Sequence, residues 1–393
     1  MGFNSIATGG GSLTAAAAFG ISARVFAAIV LMFASHLSAL AQSARPTTAG
    51  KSGPNIGAQA FVGRAEATFD LRNRQALTLL AGAPGSTALQ MAQDAAIVLA
   101  DPDDVRVLPI VGKGGPQNIL DLLHLKGIDL AITQTDALAA LSRGELRGDI
   151  KSEQIAYIAK LCNEELHVVA RGDIGDLGEL AGRAVNFGEQ GSGTQFTARR
   201  VFAALGIDVR EVNLSHADAM ARLQRGEISA HVFLGGKPTP DALALERTEG
   251  LRLLPITYPP SLEADYLPAK LTHADYPALI GEGQSVDTIA VGAVLTVVNW
   301  PAKHERYQIS ARFVEGLFGK LKGLHEPARH AKWHEMNLPA PVPGIVQFGP
   351  AKAWLERELT GTRSKASAES QPSLLQSELK SRSGEGEAEK RLR

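Results

Sequence analysis

Residues 183–205 read RAVNFGEQGSGTQFTARRVFAAL and place a strand, a turn and a helix in close succession. The apolar stretch Arg183–Asn186 is typical of a buried strand, and Thr194–Leu205 carries apolar residues at helical spacing. Between them lies the small-residue run Gly191-Ser192-Gly193. Glycine permits a tight turn, and serine is a preferred residue at a helix N-terminus. The sequence therefore predicts a strand, a turn and a helix over 183–205.

The same unit recurs along most of the chain. Short apolar runs alternate with amphipathic segments, which is the pattern of an α/β fold with a largely parallel sheet. The predicted strands are Leu77–Ala81, Val105–Pro109, Asp129–Thr133, Arg183–Asn186, Val209–Leu214 and Ile228–Leu234. The predicted helices are Ser86–Ala100, Gln117–Leu125, Thr194–Leu205, Ala217–Arg225, His304–Leu321 and Lys352–Glu358.

Two further apolar runs, Glu165–Ala170 and Val286–Val298, flank the second set of units. We interpret them as strands that cross between two lobes, so that the second lobe is an insertion within the first. The expected domains are 76–165 and 286–360 for the first lobe and 166–285 for the second. Residues 42–75 are rich in Gly, Ser and Ala and are expected to form a linker, and the polar residues 361–393 are expected to form a disordered tail.

The N-terminus has the pattern of an export signal. Residues 1–44 contain one charged residue, Arg24, and 25–41 read VFAAIVLMFASHLSALA. Ala39-Leu40-Ala41 has the form of a signal-peptidase site, so residues 1–41 are predicted to be a signal peptide cleaved after Ala41, with the protein in the periplasm. The alternative is an uncleaved membrane anchor, because about 17 apolar residues approach the length that spans a bilayer.

Composition excludes several classes of partner and site. The chain has 40 Lys and Arg against 41 Asp and Glu among 393 residues, so no basic excess favours binding to nucleic acid. Cys162 is the only cysteine, which excludes an internal disulfide and a Cys-rich metal site. The 10 histidines show no metal-ligand spacing. We therefore expect no metal and no cofactor.

Three small-residue turns follow predicted strands. They are GAPGST at 82–87, GKGGPQN at 112–118 and GEQGSGT at 188–194. In an open α/β sheet such turns present helix N-termini, which favour anions, at the carboxyl ends of the strands. Any one of them is explained by helix capping alone, whereas three from both lobes are expected to line one cleft.

Together these motifs resemble the TAXI family of TRAP transporter solute-binding proteins. The resemblance covers about Leu77 to Trp354 and is most specific over Tyr157–Ile207, where EELHVVAR at 164–171 precedes the GSGT turn; GKGGPQNI, DLAITQTDAL and FLGGKPTP follow the family's order. It implies a two-lobed type 2 periplasmic binding protein fold. It also implies a small carboxylate or amino-acid-like ligand, anionic or zwitterionic, that is delivered to TRAP membrane permease subunits.

The resemblance implies a set of ligand-binding residues from both lobes. They are Gly85, Ser86, Thr87, Gly115, Asn118, Gln134, Asp136, Glu164, Gly191, Ser192, Gly193, Thr194, Gly235 and Lys237. Glu164 either holds a ligand ammonium or is a solvated strand end, and Asp136 either contacts ligand or caps a helix. Where the family's first turn continues with Gly and paired Tyr, this chain has Ala88 and Leu89, so the identity of the ligand does not carry over.

Enzymatic readings find little support in the motifs. The GEQGSGT turn at 188–194 lacks the centred serine of a G-x-S-x-G nucleophile elbow, and GAPGST at 82–87 lacks the lysine of a phosphate-binding loop. We therefore predict no catalytic residues. The alternatives to a transport receptor are a ligand-sensing module for a signalling partner and an enzyme built on the same fold.

Overall fold

The computed structural model describes residues 76–100, 105–146, 149–244 and 250–360. The predicted signal peptide, linker and tail lie outside these residues. The strands are β1 Ala76–Leu80, β2 Arg106–Ile110, β3 Leu130–Gln134, β4 Ile155–Arg171, β5 Ala184–Asn186, β6 Arg210–Val212, β7 Ala230–Gly235, β8 Leu251–Leu253, β9 Leu267–Thr272, β10 Ser285–Val298 and β11 Val346–Gln347. The helices are α1 Thr87–Val98, α2 Gly115–His124, α3 Thr135–Ser142, α4 Gly193–Ala204, α5 His216–Gln224, α6 Pro240–Ala244, α7 Glu305–Gly319, α8 Leu321–Leu324 and α9 over 349–360.

One mixed sheet carries both halves of the molecule. Its strand order is β2-β1-β3-β10-β4-β7-β5-β6. At one end β1 pairs in parallel with β2 and β3, and at the other β5 pairs in parallel with β6 and β7. The long strands β10 and β4 lie between these groups and run antiparallel to each other and to their outer neighbours. The α/β fold with two crossing strands is therefore confirmed.

The two long strands connect the lobes. Along its first part β4 pairs with β10, and from Glu165 to Ala170 it pairs with β7. Glu165 faces both Ala290 and Gly235, so the change of partner occurs at this residue. The crossing strand begins at Ile155 rather than at Glu165, because residues 155–162 are, apart from the half-buried Lys160, also buried and show no alternation that would separate them from a core segment.

Separate hydrophobic cores fill the two lobes. In the first lobe, α1 and α7 pack on β1, β3 and the Ala293–Val297 part of β10, with Met91 and Phe313 among the buried residues. In the second lobe, α4 packs on β5, β7 and the Ile289–Val291 part of β10, with Phe202 almost fully buried. Helix α7 thus returns to the first lobe, as the sequence predicts for His304–Leu321.

The predicted units of strand and helix are present with small shifts at their ends. The bounds of helix α3 were not predicted, although capping of a helix was one alternative for Asp136, since Thr135–Ser142 directly follows β3 without a glycine or proline to mark a turn. Strand β6 is shorter than the predicted Val209–Leu214 and is partly exposed. These elements bring the carboxyl ends of β1, β2, β3, β5, β6 and β7 toward the space between the lobes.

Candidate functional site

A cavity of about 140 Å³ lies between the lobes at the carboxyl ends of the strands. The first lobe lines it with residues 82–84 after β1, residues 112–114 after β2 and Gln134 at the end of β3. The second lobe lines it with residues 192–194 at the N-terminus of α4 and residues 231–234 of β7. Residues of both lobes therefore line this cavity, and they include parts of all three turns singled out in the sequence.

Helix N-termini from both lobes lie at this cavity. Ser86 caps α1 by accepting a hydrogen bond from the Leu89 amide at 3.3 Å, and Ser192 caps α4 by accepting one from Gln195 at 3.1 Å. Helix α2 begins after Gly114 without a side-chain cap. Each serine hydroxyl that accepts a helix N–H keeps its own proton to donate. Three positive helix ends and two hydroxyl donors suit a negatively charged group.

The lobes approach most closely where glycines face each other. The Gly193 amide donates to the Lys113 carbonyl at 2.9 Å. A Cβ on Gly115 would lie 2.8 Å from the Gly193 Cα, and a Cβ on Gly193 would lie 2.6 Å from the Gln134 Oε1. Such distances are far below a normal carbon contact, so this arrangement of the lobes requires glycine at both positions.

Gln134 and Glu164 form a buried polar pair beside the cavity. The Gly115 amide donates to Gln134 Oε1 at 2.6 Å, and Gln134 Nε2 donates to Glu164 Oε2 at 2.8 Å. Glu164 is 3% exposed, and burial raises the pKa of its carboxyl even though Gln134 opposes the shift. Both side chains line the cavity. Glu164 is thus a buried carboxyl group whose ionised form a nearby cation, such as an ammonium group, would favour.

Asn118 holds the second turn in shape. Its Oδ1 accepts from the amides of Lys113 and Gly114, and its Nδ2 donates to the carbonyls of Ala81 and Ile132. The residue is fully buried, and its amide group meets four protein partners. Asn118 therefore positions the backbone of 112–114, which lines the cavity, and does not line it itself.

Thr87 and Asp136 lie at contacts between the lobes, outside the cavity lining. Thr87 Oγ1 accepts from the Gly236 amide at 2.9 Å. Asp136 is fully buried and accepts from Thr197 Oγ1 at 2.7 Å and from Tyr266 at 3.1 Å, both in the second lobe. Burial raises the pKa of Asp136, and these two hydroxyls oppose the shift. Both residues join the lobes in this conformation.

Lys237, Gly235, Gly85 and Gly191, which the resemblance also implies, are not among the residues that line the cavity. Lys237 Nζ donates to the Lys270 carbonyl at 2.6 Å and contacts Asp275 at 3.0 Å, so its charge is compensated within the second lobe. Gly235 ends β7 against Thr239, and Gly85 and Gly191 take positive φ angles of 83° and 80° in their turns. Ser86, Gln134, Glu164, Ser192, Gly193 and Thr194 are the members of the set that line the cavity.

The sequence analysis did not identify three rings at the second-lobe end of the cavity. His216, His231 and Phe233 line the cavity there, together with the carboxyl group of Asp241. The His216 and His231 ring centroids are 4.9 Å apart, and Phe233 stands edge-on to His216 at 5.5 Å. The sequence signal that could have indicated this cluster is His231 in the buried strand AHVFLG, since a buried polar residue needs a hydrogen-bond partner.

A cluster of four charged residues joins the lobes at another place. Arg143 of the first lobe donates to both carboxylate oxygens of Asp265 in the second, at 2.9 and 3.0 Å. Arg200 of α4 donates to Asp265 and to Glu145, each at 2.9 Å. Burial opposes the ionisation of Asp265, but the two arginines outweigh it and hold the pKa of Asp265 below its ordinary value. This ionic cluster stabilises the contact between the lobes.

No group of three or more His, Cys, Asp or Glu side chains within the described residues is arranged to hold a metal ion. Within the same residues, no helix is both long enough and apolar enough to cross a membrane.

Two lobes on one sheet, with a cavity at the carboxyl ends of their strands, define a two-lobed α/β binding fold. Residues 79–343 match the model of the NMT1-like family, and the chain belongs to that family.

Several solved structures are similar to this chain at low identity. MatC from Rhodopseudomonas palustris with bound malate is 15% identical, with 72% of this chain and 95% of that chain covered and a TM-score of 0.44. The periplasmic aliphatic sulphonate binding protein SsuA from Escherichia coli is 16% identical, with 68% and 80% covered and a TM-score of 0.36. The GluR0 ligand-binding core from Nostoc punctiforme with L-glutamate is 15% identical, with 63% and 97% covered and a TM-score of 0.36.

Proposed function

We propose that the protein is an exported solute receptor that binds a small carboxylate or amino-acid-like molecule between its lobes and performs no chemistry on it. The observation that carries this proposal is the convergence of helix N-termini from both lobes on one cavity, with Ser86 and Ser192 at two of them. Helix N-termini and hydroxyl donors stabilise an anionic group without any catalytic residue.

The direct ligand contacts in this proposal are the cavity-lining residues of the implied set, which are Ser86, Gln134, Glu164, Ser192, Gly193 and Thr194. Thr87, Asn118 and Asp136 act through the turns and lobe contacts they hold, and Lys237 acts through its contacts with Lys270 and Asp275 within the second lobe. In this proposal the first lobe comprises residues 76–165 and 286–360, and the second comprises residues 166–285. The hinge lies where β4 and β10 pass from one lobe to the other.

The proposed partner is a TRAP-type membrane permease, and the proposed compartment is the periplasm. Support comes from the turn motifs shared with TAXI proteins and from the export-signal pattern of residues 1–41. In the alternative role, as a ligand-sensing module, the partner would be a signalling protein instead of a permease. A gene for a multi-span permease beside the gene for this protein would favour transport over sensing.

A thermal-shift screen tests the ligand class. Dicarboxylates, amino acids and neutral sugars are offered to the purified protein, and a ligand at 100 times its Kd should stabilise it by about 2.7 kcal/mol. We expect acids to raise the melting temperature. Stabilisation by sugars with no response to any acid would refute the proposal.

Two matched variants separate plain acids from amino acids. Glu164→Gln removes the buried carboxyl beside the cavity, and Glu189→Gln makes the same change at an exposed residue of the lining. If the ligand carries an ammonium group held by Glu164, only Glu164→Gln weakens binding. If the ligand is a plain acid, both variants bind it as well as the wild type or better.

A further inference from the structure

The buried side chain of Asn186 has a fixed orientation. The Leu214 amide donates to Asn186 Oδ1 at 2.8 Å, so the oxygen must face that amide. The Nδ2 group consequently faces His231, 2.9 Å from its Nδ1. Asn186 and His231 are 0% and 1% exposed, so water does not compete for either group.

This orientation decides where His231 carries its proton. The Asn186 Nδ2 group can only donate, so His231 Nδ1 must accept, and the single ring proton lies on Nε2. His231 Nε2 is 2.9 Å from His216 Nδ1 and donates to it. Burial and the neighbouring His216 lower the pKa of His231 to about 3, so a second proton does not disturb this arrangement near neutral pH.

The same logic extends to His216. Its Nδ1 accepts from His231, so its own proton lies on Nε2. That nitrogen has no hydrogen-bond partner among the described residues, while the ring lines the cavity and its side chain is 31% exposed. Asp241 Oδ2 is 3.4 Å from the same Nδ1, which is longer than a normal hydrogen bond, so His231 at 2.9 Å remains the hydrogen-bond partner of that nitrogen.

We propose that His216 is a specificity-determining residue that donates its Nε2–H to the ligand, and that Asn186 imposes this polarity through His231. The inference rests on the proposed function, since the acidic end of the ligand occupies the helix N-termini. It adds that the ligand carries a second acceptor oxygen, such as a carbonyl or a second carboxylate, at the end that meets His216. Phe233 beside it supplies an apolar wall.

The position of the protons is measured on the ligand-free protein by ¹⁵N NMR of the histidine rings. We expect the Nε2–H tautomer for both His216 and His231. His167 is the internal control, because its Nδ1 is 2.9 Å from the Glu165 carbonyl and must carry the proton, while Nε2 accepts from Tyr276. An Nδ1–H tautomer at His216 would overturn the inference.

Asn186→Asp should reverse the direction of the hydrogen bonds that run from residue 186 through His231 to His216, and residue 186 is not part of the cavity lining. Its carboxylate accepts from Leu214 and from His231 Nδ1–H, which makes His231 Nε2 an acceptor and moves the His216 proton to Nδ1. His216 Nε2 then becomes an acceptor. His216→Leu removes the donor altogether, and His216→Gln retains an N–H of similar reach as the matched control. Melting curves show which variants fold, and the wild-type NMR result stands if one does not.

The ligand preference is measured with succinate, butyrate and 4-aminobutyrate, which share a chain length and differ at one end. We expect the wild type and His216→Gln to prefer succinate over butyrate by at least about 10-fold, since a hydrogen bond to a charged group is worth at least that ratio. The ratio should fall toward one in His216→Leu, and Asn186→Asp should shift preference toward 4-aminobutyrate. Equal affinity of the wild type for succinate and butyrate would overturn the role of His216. If the protein binds none of the three, the result counts against the proposed function. The tautomers of His216 and His231, measured by NMR without ligand, would still test the predicted proton positions.

Discussion

Gly193→Ala should weaken ligand binding by blocking the approach of the lobes. The new Cβ would lie 2.6 Å from Gln134 Oε1 and 3.1 Å from the Gly115 amide nitrogen, both in the first lobe. Gln134 cannot move aside cheaply, because it is buried and makes hydrogen bonds to Gly115 and Glu164. Overpacking of this kind costs about 1–3 kcal/mol, and here the cost falls only on the closed conformation.

The expected loss of affinity follows from that cost. In the proposed function ligand binds through the closed form, so 1–3 kcal/mol corresponds to an increase in Kd of about 5- to 150-fold. The ligand-free protein should lose no stability, because Gly193 is the first residue of α4 and alanine is the better helix former. Calorimetry gives Kd, and small-angle scattering with and without ligand gives the degree of compaction.

Gly319→Ala is the matched control. Gly319 is the last residue of α7, and a Cβ there would meet nothing within 4 Å. It should leave Kd and compaction at wild-type values. If Gly193→Ala also binds ligand within about twofold of the wild type and still compacts, the contact between Gly193 and Gln134 is not part of the bound state and the reasoning fails.

Three further predictions concern the caps, the ionic cluster and export. Ser192→Ala removes a helix cap, so the free energy of unfolding measured by denaturation should fall by about 0.5–2 kcal/mol, and Kd should also rise. An unchanged Kd would show that Ser192 only caps α4. Asp265→Asn should weaken closure by about 1 kcal/mol in scattering titrations, whereas Glu227→Gln, which breaks a pair inside the second lobe, should not. Because the pKa of Asp265 is lowered below its ordinary value of 3.8, the wild-type contribution should persist above about pH 4 and be lost as pH falls further. Intact mass of the periplasmic protein should show a chain beginning after Ala41, and retention of residues 25–41 in a membrane fraction would indicate an anchor.

The strand and helix units were predictable because their signals are local. The unit over 183–205 has its apolar strand, its serine cap and its helix within 23 consecutive residues, and the structure begins α4 one residue before the predicted Thr194. The full length of β4 was not predictable in the same way, since residues buried on both faces show no period of two.

The details of the site depend on contacts between distant residues. Asn118 bonds the Ala81 carbonyl 37 positions away, and no local pattern separates such a residue from a ligand contact. His216 and His231 are 15 positions apart, on a helix and a strand whose pairing follows only from the sheet order. The turns that line the cavity could be predicted, whereas the direction of each polar group could not.

Strand β10 has a consequence for how the chain acquires its structure. Ile289 and Val291 complete the core of the second lobe, and Ala293, Leu295 and Val297 complete that of the first. Neither core can close before synthesis has passed residue 298, and the contacts that β10 makes with β3 span more than 150 positions. Folding that waits on such distant contacts is slow. Because β10 contributes to both cores, the two lobes of the folded chain should melt in a single cooperative transition.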